Sequence, residues 1–466
     1  MANKSNKAAA GARIGAELGK RKRNELLGRL RPHFARTAVF QQASGYLLAL
    51  MSSLPSRNGW SIAEFIGDKA PDKTQRLLNR ASWSALAAMS EVRRFAAEGL
   101  DEAARKRGRR RGLIRVGALD ETGQEKKGES TAGVKRQHMG CADGVANGVS
   151  TVHLSYVREK TGHALIGFRQ WIPEEQVKDV RAFLRMALPL GLKFLTKGEL
   201  AIEILKEAYA DELFFDFICG DEVYGACTRL REYLESAGQA YVLRVRKNFY
   251  LTFRDGSTLA CEDAVKKMIR RENWEVRSAG RGSKGERWYA WAWIQVDDRH
   301  CLLVRRHLNS DDLAFHYCYT PEGQRPSLAR LIRAAGLRWP VEEGFEFSKD
   351  CFGLDQSQVR LYHALARHTV LVMAALAVCA VTAALLGNRT DTQADQPVSP
   401  GQSPPVDCGL VPLSVPEIGR LLAPHPAYRQ DHAEYWSEFR RGHQARARWF
   451  HKRARLDRAY EIPQVS

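Results

Sequence analysis

From Thr369 to Leu386 the chain reads TVLVMAALAVCAVTAALL, a run with no charged residue. A segment of that length is at the lower limit for crossing a bilayer, or it is a helix covered by protein on every side. Its small residues and Cys379 suit close packing, His363, Arg367 and His368 stand on the preceding turns, and no second such run occurs in the 466 residues. A buried helix is therefore expected, with no membrane partner. Only a large domain can surround it, and the chain is long enough for roughly two to four units with full cores.

Just upstream stands Arg338-Trp-Pro-Val-Glu342-Glu-Gly-Phe-Glu346-Phe-Ser-Lys349. Read as a helix it stacks Arg338, Glu342, Glu346 and Lys349 on one side, because residues three, four and seven apart share a face. Taken alone it is an ion-paired surface helix. Two other acids change its meaning. Asp120 ends the apolar run from Leu113 to Leu119, Asp221 ends the run from Leu213 to Gly220, and each opens a Gly-containing turn. Three acids from two strand ends and a helix can hold a pair of magnesium ions, whose preferred ligands are hard carboxylate oxygens.

Charge points the same way. A formal net charge of +19 favours polyanionic partners, nucleic acid or an anionic surface. The nine cysteines are scattered and never spaced Cys-x2-Cys, which argues against a zinc ribbon or disulfide framework and fits a reducing cytosol. Lys4 to Arg36 is basic and alanine-rich, without the apolar core and small-residue cleavage site of a signal peptide.

The pattern divides the chain as follows. Residues 1–25 read as a basic disordered arm and 26–105 as a helical DNA-binding domain. In the latter, Ser61-Ile-Ala-Glu64 matches a capping box, Asp68 to Pro71 makes a turn, and Asp72 to Arg80 reads as a second helix bearing Lys73 and Arg76. That outline fits a helix-turn-helix or two helices of a bundle. Residues 112–248 alternate strands and helices as the first part of a catalytic core, with a loop from Asp120 to His138 whose Lys126, Lys127, Lys135 and Arg136 can grip phosphates. A single helix is expected over Glu174 to Leu190. Residues 249–320 read as a β-rich insertion. There Tyr289, Trp291 and Trp293 share one face as core, and Trp288 points the other way, free to stack on a base. Residues 321–387 resume the core, 388–408 form a Pro-rich linker, and 409–466 a basic tail with Arg440 and Arg441 among aromatics, either a DNA-backbone contact or a solvated helix.

Three chemistries compete for such acids. Metal-assisted phosphoryl transfer uses two cations about 4 Å apart. A glycosidase with paired carboxylates leaves the basic excess unexplained. Neither Gly-x-Ser-x-Gly nor Gly-x4-Gly-Lys-Ser/Thr occurs, so serine hydrolase and nucleotide-binding motifs are absent. In the order Asp120, Asp221, Arg338-x3-Glu342-x6-Lys349 the chain resembles the DDE transposases of bacterial insertion sequences, in the branch with Tyr-x2-Arg-x3-Glu-x6-Lys and a β-rich insertion before the third acid. The Lys126 to His138 loop, Gly220-Asp221-Glu222-Val-Tyr-Gly225, Gly353-Leu-Asp355 and the Trp436 to Arg455 tail extend the resemblance over nearly everything from Leu26. The branch's leading tyrosine is replaced by Ala335.

The resemblance implies an α/β fold: a ribonuclease-H-like mixed sheet flanked by helices and interrupted by the insertion, with an all-helical N-terminal domain. It implies that Asp120, Asp221 and Glu342 are both catalytic residues and ligands for two Mg2+ ions, for which Mn2+ substitutes. Arg338 and Lys349 then match DNA-contacting cations, and Trp288 an insertion-domain aromatic. The implied partners are double-stranded DNA, as terminal inverted repeats and target, and a second copy in a dimeric synaptic complex; the implied location is the bacterial cytoplasm at the nucleoid. A related nuclease without strand transfer, or a domesticated DNA-binding protein, are the other readings. Glu121, Glu222, Glu343 and Glu346 lie beside the three acids, and Glu346 is the alternative to Glu342.

Overall fold

Five helices come first, α1 (Ala2–Leu30), α2 (Thr37–Leu50), α3 (Gly59–Ile66), α4 (Asp72–Asn79) and α5 (Ala85–Lys106). They lead into β1 (Arg115–Glu125), β2 (Lys135–Met139), β3 (Gly144–Arg158) and β4 (Gly162–Gln170), then α6 (Glu174–Lys178), α7 (Val180–Arg185) and α8 (Lys197–Ala210). Next are β5 (Phe217–Gly220), α9 (Glu222–Gly225), α10 (Thr228–Ser236) and β6 (Tyr241–Val245). The insertion holds β7 (Tyr250–Thr252), β8 (Thr258–Ala260), α11 (Cys261–Met268), β9 (Glu275–Gly282), β10 (Gly285–Gln295), β11 (His300–Arg306) and β12 (Leu313–Tyr319). The last elements are α12 (Leu328–Gly336), α13 (Pro340–Asp350), α14 (Tyr362–Leu386) and α15 (Val415–Leu422). The computed structural model describes residues 2–106, 112–282, 285–310, 312–324, 327–387 and 413–423. The linker at 388–408 and the tail with Arg440 and Arg441 lie outside the described residues or almost wholly so.

One mixed sheet carries the chain, in the order β2-β3-β1-β5-β6-β12-β11-β10-β9, with β4 on β3. Only β1–β5 and β5–β6 are parallel. This is the expected α/β core, and most of the insertion joins it: β12 pairs with β6, so β9 to β12 extend the core sheet, while β7 and β8 pair with each other in a separate two-stranded sheet. A small second core under α11, built from Leu251, Cys261, Ala264, Ile294, Leu302 and Phe315, covers one face of that extension.

The apolar run is α14, and it is buried as expected. It packs on α5, β4, α1, α2 and α15, with Val370 to Val381 almost wholly inaccessible. Gly99 lets α5 come close, since a Cβ there would sit 2.5 Å from a Val381 methyl. The polar residues before the run serve the neighbouring helix. His363 bonds the Asn79 carbonyl at 2.8 Å and Arg367 donates to the Leu78 carbonyl at 2.8 Å, capping the C-terminal turn of α4.

Several local expectations fail. Of the expected arm at 1–25, the described residues 2–25 form most of α1, held because Gly19 and its neighbours meet α15: a Cβ on Gly19 would lie 2.7 Å from Leu422. The cap of α3 is Asn58, whose side chain accepts from Trp60 and Ser61 amides, rather than Ser61. Glu174 to Leu190 breaks at Asp179, which is extended and caps α7. Trp293 is 38 % exposed, so of the three aromatics expected in the core only Trp291 is fully buried.

Arg93 of α5 is 1 % exposed and ties three elements together. It donates to the Ile166 carbonyl at 2.9 Å, to Asp211 at 2.6 Å and to Glu207 at 3.0 Å. Its removal leaves the Ile166 carbonyl without that donor and takes the buried cation from two acids that keep weaker support, Arg169 on Glu207 and Arg94 at 3.8 Å from Asp211, so Arg93→Ala is expected to destabilise the protein by about 3 kcal/mol, read from the shift of the urea unfolding midpoint.

Candidate active site

Parallel register brings the first two acids together. Leu119 pairs with Gly220, so Asp120 and Asp221 occupy the next position on β1 and just past β5. Asp120 is not at a strand end: β1 continues to Glu125 and pairs Asp120 with His153 of β3. What ends there is the pairing with β5, so the acid still lies at the carboxyl edge of that parallel pair. Asp221 caps the short α9, its carboxylate accepting from the Val223 amide at 2.9 Å. The tight turn that follows needs Gly225, where a Cβ would fall 1.8 Å from the Arg244 carbonyl oxygen.

Glu342 arrives on the first turn of α13. Arg338 precedes that helix instead of belonging to it, yet it makes the expected i,i+4 contact and one more: its guanidinium donates to Glu342 Oε1 at 2.6 Å and to Asp120 Oδ2 at 2.7 Å. Asp120, Glu121 and Asp221 form the tightest acidic group, with one carboxylate oxygen of each within 4.8 Å of the others. Glu342 joins that group through Arg338. Glu121 is already engaged by Lys197 Nζ at 2.5 Å and by the Tyr224 hydroxyl at 3.2 Å. Sequence reasoning named Glu121 only as a neighbour and missed Lys197 and Tyr224, because nothing local links residues about a hundred positions apart.

Burial acts against the charges. Asp120 is pushed up to about 7, by desolvation first, with Arg338 pulling it down and Asp221 pushing it up. Asp221 is raised by burial and by Glu121. His153, under Phe345, is buried and pushed down to about 3 by desolvation and by Lys349, so it is neutral. Hard oxygens concentrated around a shortage of positive charge fit a divalent cation.

The other expected residues are dispersed. Lys349 is half-buried on α13 near His153. Lys126 is not on a free loop: its ammonium bonds the Ser357 carbonyl, and burial lowers it to about 8. Lys135 pairs with Glu175 at 2.6 Å, while Lys127 and Arg136 are exposed. Trp288 is 53 % exposed. Lys73 pairs with Asp68 at 2.6 Å, and Arg76 is exposed on the same helix. Glu346 is exposed and outside the acidic group.

A family model described as "DDE superfamily endonuclease" matches residues 29–262, half of the chain, and one described as "Transposase DDE domain" matches 196–378. The chain belongs to the DDE superfamily. Together the two matches span Asp120, Asp221 and Glu342. A curated relative, "Probable transposase for insertion sequence element IS701" of Microchaete diplosiphon, is 28% identical over 134 residues, which are 28% of this chain and 32% of that protein. The chain thus spans about a third of that relative's length. Among solved structures, a piggyBac transposase synaptic complex with hairpin DNA aligns at a TM-score of 0.39 and 11% identity, covering 88% of this chain and 76% of that one. The DDE superfamily uses divalent metal, in keeping with the acidic group.

The raised Asp120 has a sign that can be measured. Its protonated form is favoured in the fold, so its contribution to stability is present below about pH 4, the unfolded value, and is lost as pH rises through about 7. In metal-free buffer at pH 8, Asp120→Asn is therefore expected to melt a few degrees above the wild type. Addition of a divalent cation is expected to raise the wild-type Tm and leave the variant unmoved; differential scanning fluorimetry reads both.

Proposed function

We propose that this DDE chain is an insertion-sequence transposase that binds transposon ends in double-stranded DNA, cuts a strand at each end and joins the freed 3′-hydroxyl to target DNA. The observation that carries this is the meeting of Asp120, Asp221 and the Arg338-bridged Glu342 at the carboxyl edge of β1 and β5. Asp120, Asp221 and Glu342 would hold two magnesium ions, with Glu121 the competing ligand. Bound there, the metal pair supplies Lewis acidity to the attacking and leaving oxygens of a phosphodiester.

The chain's own residues do the rest. Asp120 enters as an acid that sheds its proton near neutrality. Arg338 holds Asp120 and Glu342 in register from the turn before α13. Lys349 adds positive charge on the same helix, Trp288 offers an exposed ring for a base, and Lys73, Arg76, Lys127 and Arg136 offer cations to the DNA backbone. Two copies, one at each transposon end, form the working assembly.

With DNA carrying the inverted repeats that flank the gene, Asp120→Ala, Asp221→Ala and Glu342→Ala are each expected to lower magnesium-dependent cleavage by roughly a hundredfold or more, with binding retained in gel-shift assays. Full cleavage by Glu342→Ala together with loss in Glu121→Gln would reassign the third ligand. Joining of a pre-cut end to a second duplex separates a transposase from a plain nuclease.

A further inference from the structure

Arg305 is a half-buried guanidinium with no carboxylate and no side-chain hydrogen bond among the described residues. The ring of Tyr289 lies 4.5 Å from the guanidinium carbon, and Trp291 and Ala314 are the partners of Arg305 on the flanking strands. The cations around it are already committed. Arg338 is taken by Asp120 and Glu342, and Arg287 donates to the carbonyls of Ala279 at 3.2 Å and Gly336 at 2.9 Å. Arg244 lies 3.1 Å from Glu222, a carboxylate it shares with Arg246 at 3.6 Å.

Register shows where Arg305 stands relative to the acids. Gly220 pairs with Leu243, so the position after it sets Asp221 beside Arg244; Arg244 pairs with His316, and His316 with Leu303. Paired residues share a face of a sheet, and Arg305 is two residues on from Leu303, on that same face. The row that begins with Asp120 and Asp221 thus runs on into a cationic stretch. His316 in that row is buried and held neutral, by desolvation first and then by Arg305 and Arg244. Burial, and the like charges of Arg244, Arg287 and Arg338 against the opposing pull of Tyr289, also lower Arg305 itself. An uncompensated, partly desolvated cation costs free energy in the free protein, and an anion arriving there relieves it.

We propose that Arg305, seated on Tyr289 and flanked by Arg244, forms a phosphate-binding subsite that holds a backbone phosphate of the DNA strand leading away from the carboxylates. A guanidinium fork matches a phosphate bidentately. From β5 to β11 is three strand spacings, about 14 Å, so Arg305 is a positioning residue for a neighbouring phosphate and does not touch the scissile one. This subsite rests on the reading of the chain as a DNA-processing enzyme.

The test uses the full chain, a short duplex oligonucleotide and, separately, sodium pyrophosphate. Between about 50 and 200 mM NaCl, Arg305→Gln is expected to flatten the slope of log K against log salt by about one unit and to bind roughly tenfold more weakly. Arg305→Lys restores the slope. Pyrophosphate raises the Tm of the wild type and leaves that of Arg305→Gln unchanged, while the Tm of the variant alone is equal to or above the wild type. An unchanged slope, equal protection of both proteins by pyrophosphate, or a variant that melts several degrees lower would overturn the subsite, the last by making Arg305 a structural cap on Tyr289. Wild-type cleavage with an unaltered slope in the variant sinks the subsite alone. A wild type that binds no duplex sinks the reading of the chain, and pyrophosphate then decides the subsite by itself.

Discussion

A single guanidinium, that of Arg338, keeps a self-repelling group of acids in one place. It reaches Asp120 on a strand and Glu342 on a helix from a turn that belongs to neither. Desolvation and the charge of Asp221 both work against ionised Asp120, and Arg338, helped by the Glu121 amide, opposes them. The rest of the helix follows from packing. Val341, Gly344, Phe345 and Ser348 turn inward, and the Phe345 ring meets His153 at 5.2 Å, so the apolar face of α13 fixes its seat on the sheet while Arg338 fixes which acid looks at Asp120.

The sheet transmits that arrangement outward. With β5 parallel to both β1 and β6, each residue following a strand end finds its neighbour in register, which is how Asp221 comes to lie between Asp120 and Arg244. Since β12 then pairs with β6, strands β9 to β12 of the insertion extend the sheet that carries the acids. The insertion's unpaired arginine therefore belongs to the same surface as the acids, whereas Trp288, on the Ala290 and Arg306 side of β10, faces the other way.

Much of this was legible in residue order, and the limits have physical causes. The apolar run, long enough to cross a bilayer, read as a buried helix because polar residues crowd its start and no second run accompanies it, and i,i+4 spacing alone predicted the contact between Arg338 and Glu342. The α/β core with its helical N-terminal region follows from the alternation of strand and helix patterns. Glu121 was harder, because strand alternation sends it to the opposite side from Asp120, and the partners that hold its carboxylate near the others, Lys197 and Tyr224, are distant in the chain. Residues 1–25 lack any amphipathic signal strong enough to predict α1, since its glycine contacts with Leu422 are made across some four hundred residues. Strand pairing between β6 and β12 is equally non-local, which is why the insertion read as a separate unit.

Both ends of α13 are held by arginines, and the helix dipole treats them differently. Arg57 donates to the Leu50 carbonyl at 3.0 Å, the Ser52 carbonyl at 3.0 Å and the Cys351 carbonyl at 2.6 Å, so one cation joins the C-terminal ends of α2 and α13. That contact is favoured by the partial negative charge of both helix ends. Arg338, at the N-terminal end of α13, faces a partial positive charge and is unfavourable there by itself. Glu342 and Glu343 in the first turn reverse the local sign, and Glu343 has its own partner in His163 at 3.3 Å. Glu342 is thus required twice over, as the acid aimed at Asp120 and as the charge that lets Arg338 stand where it does.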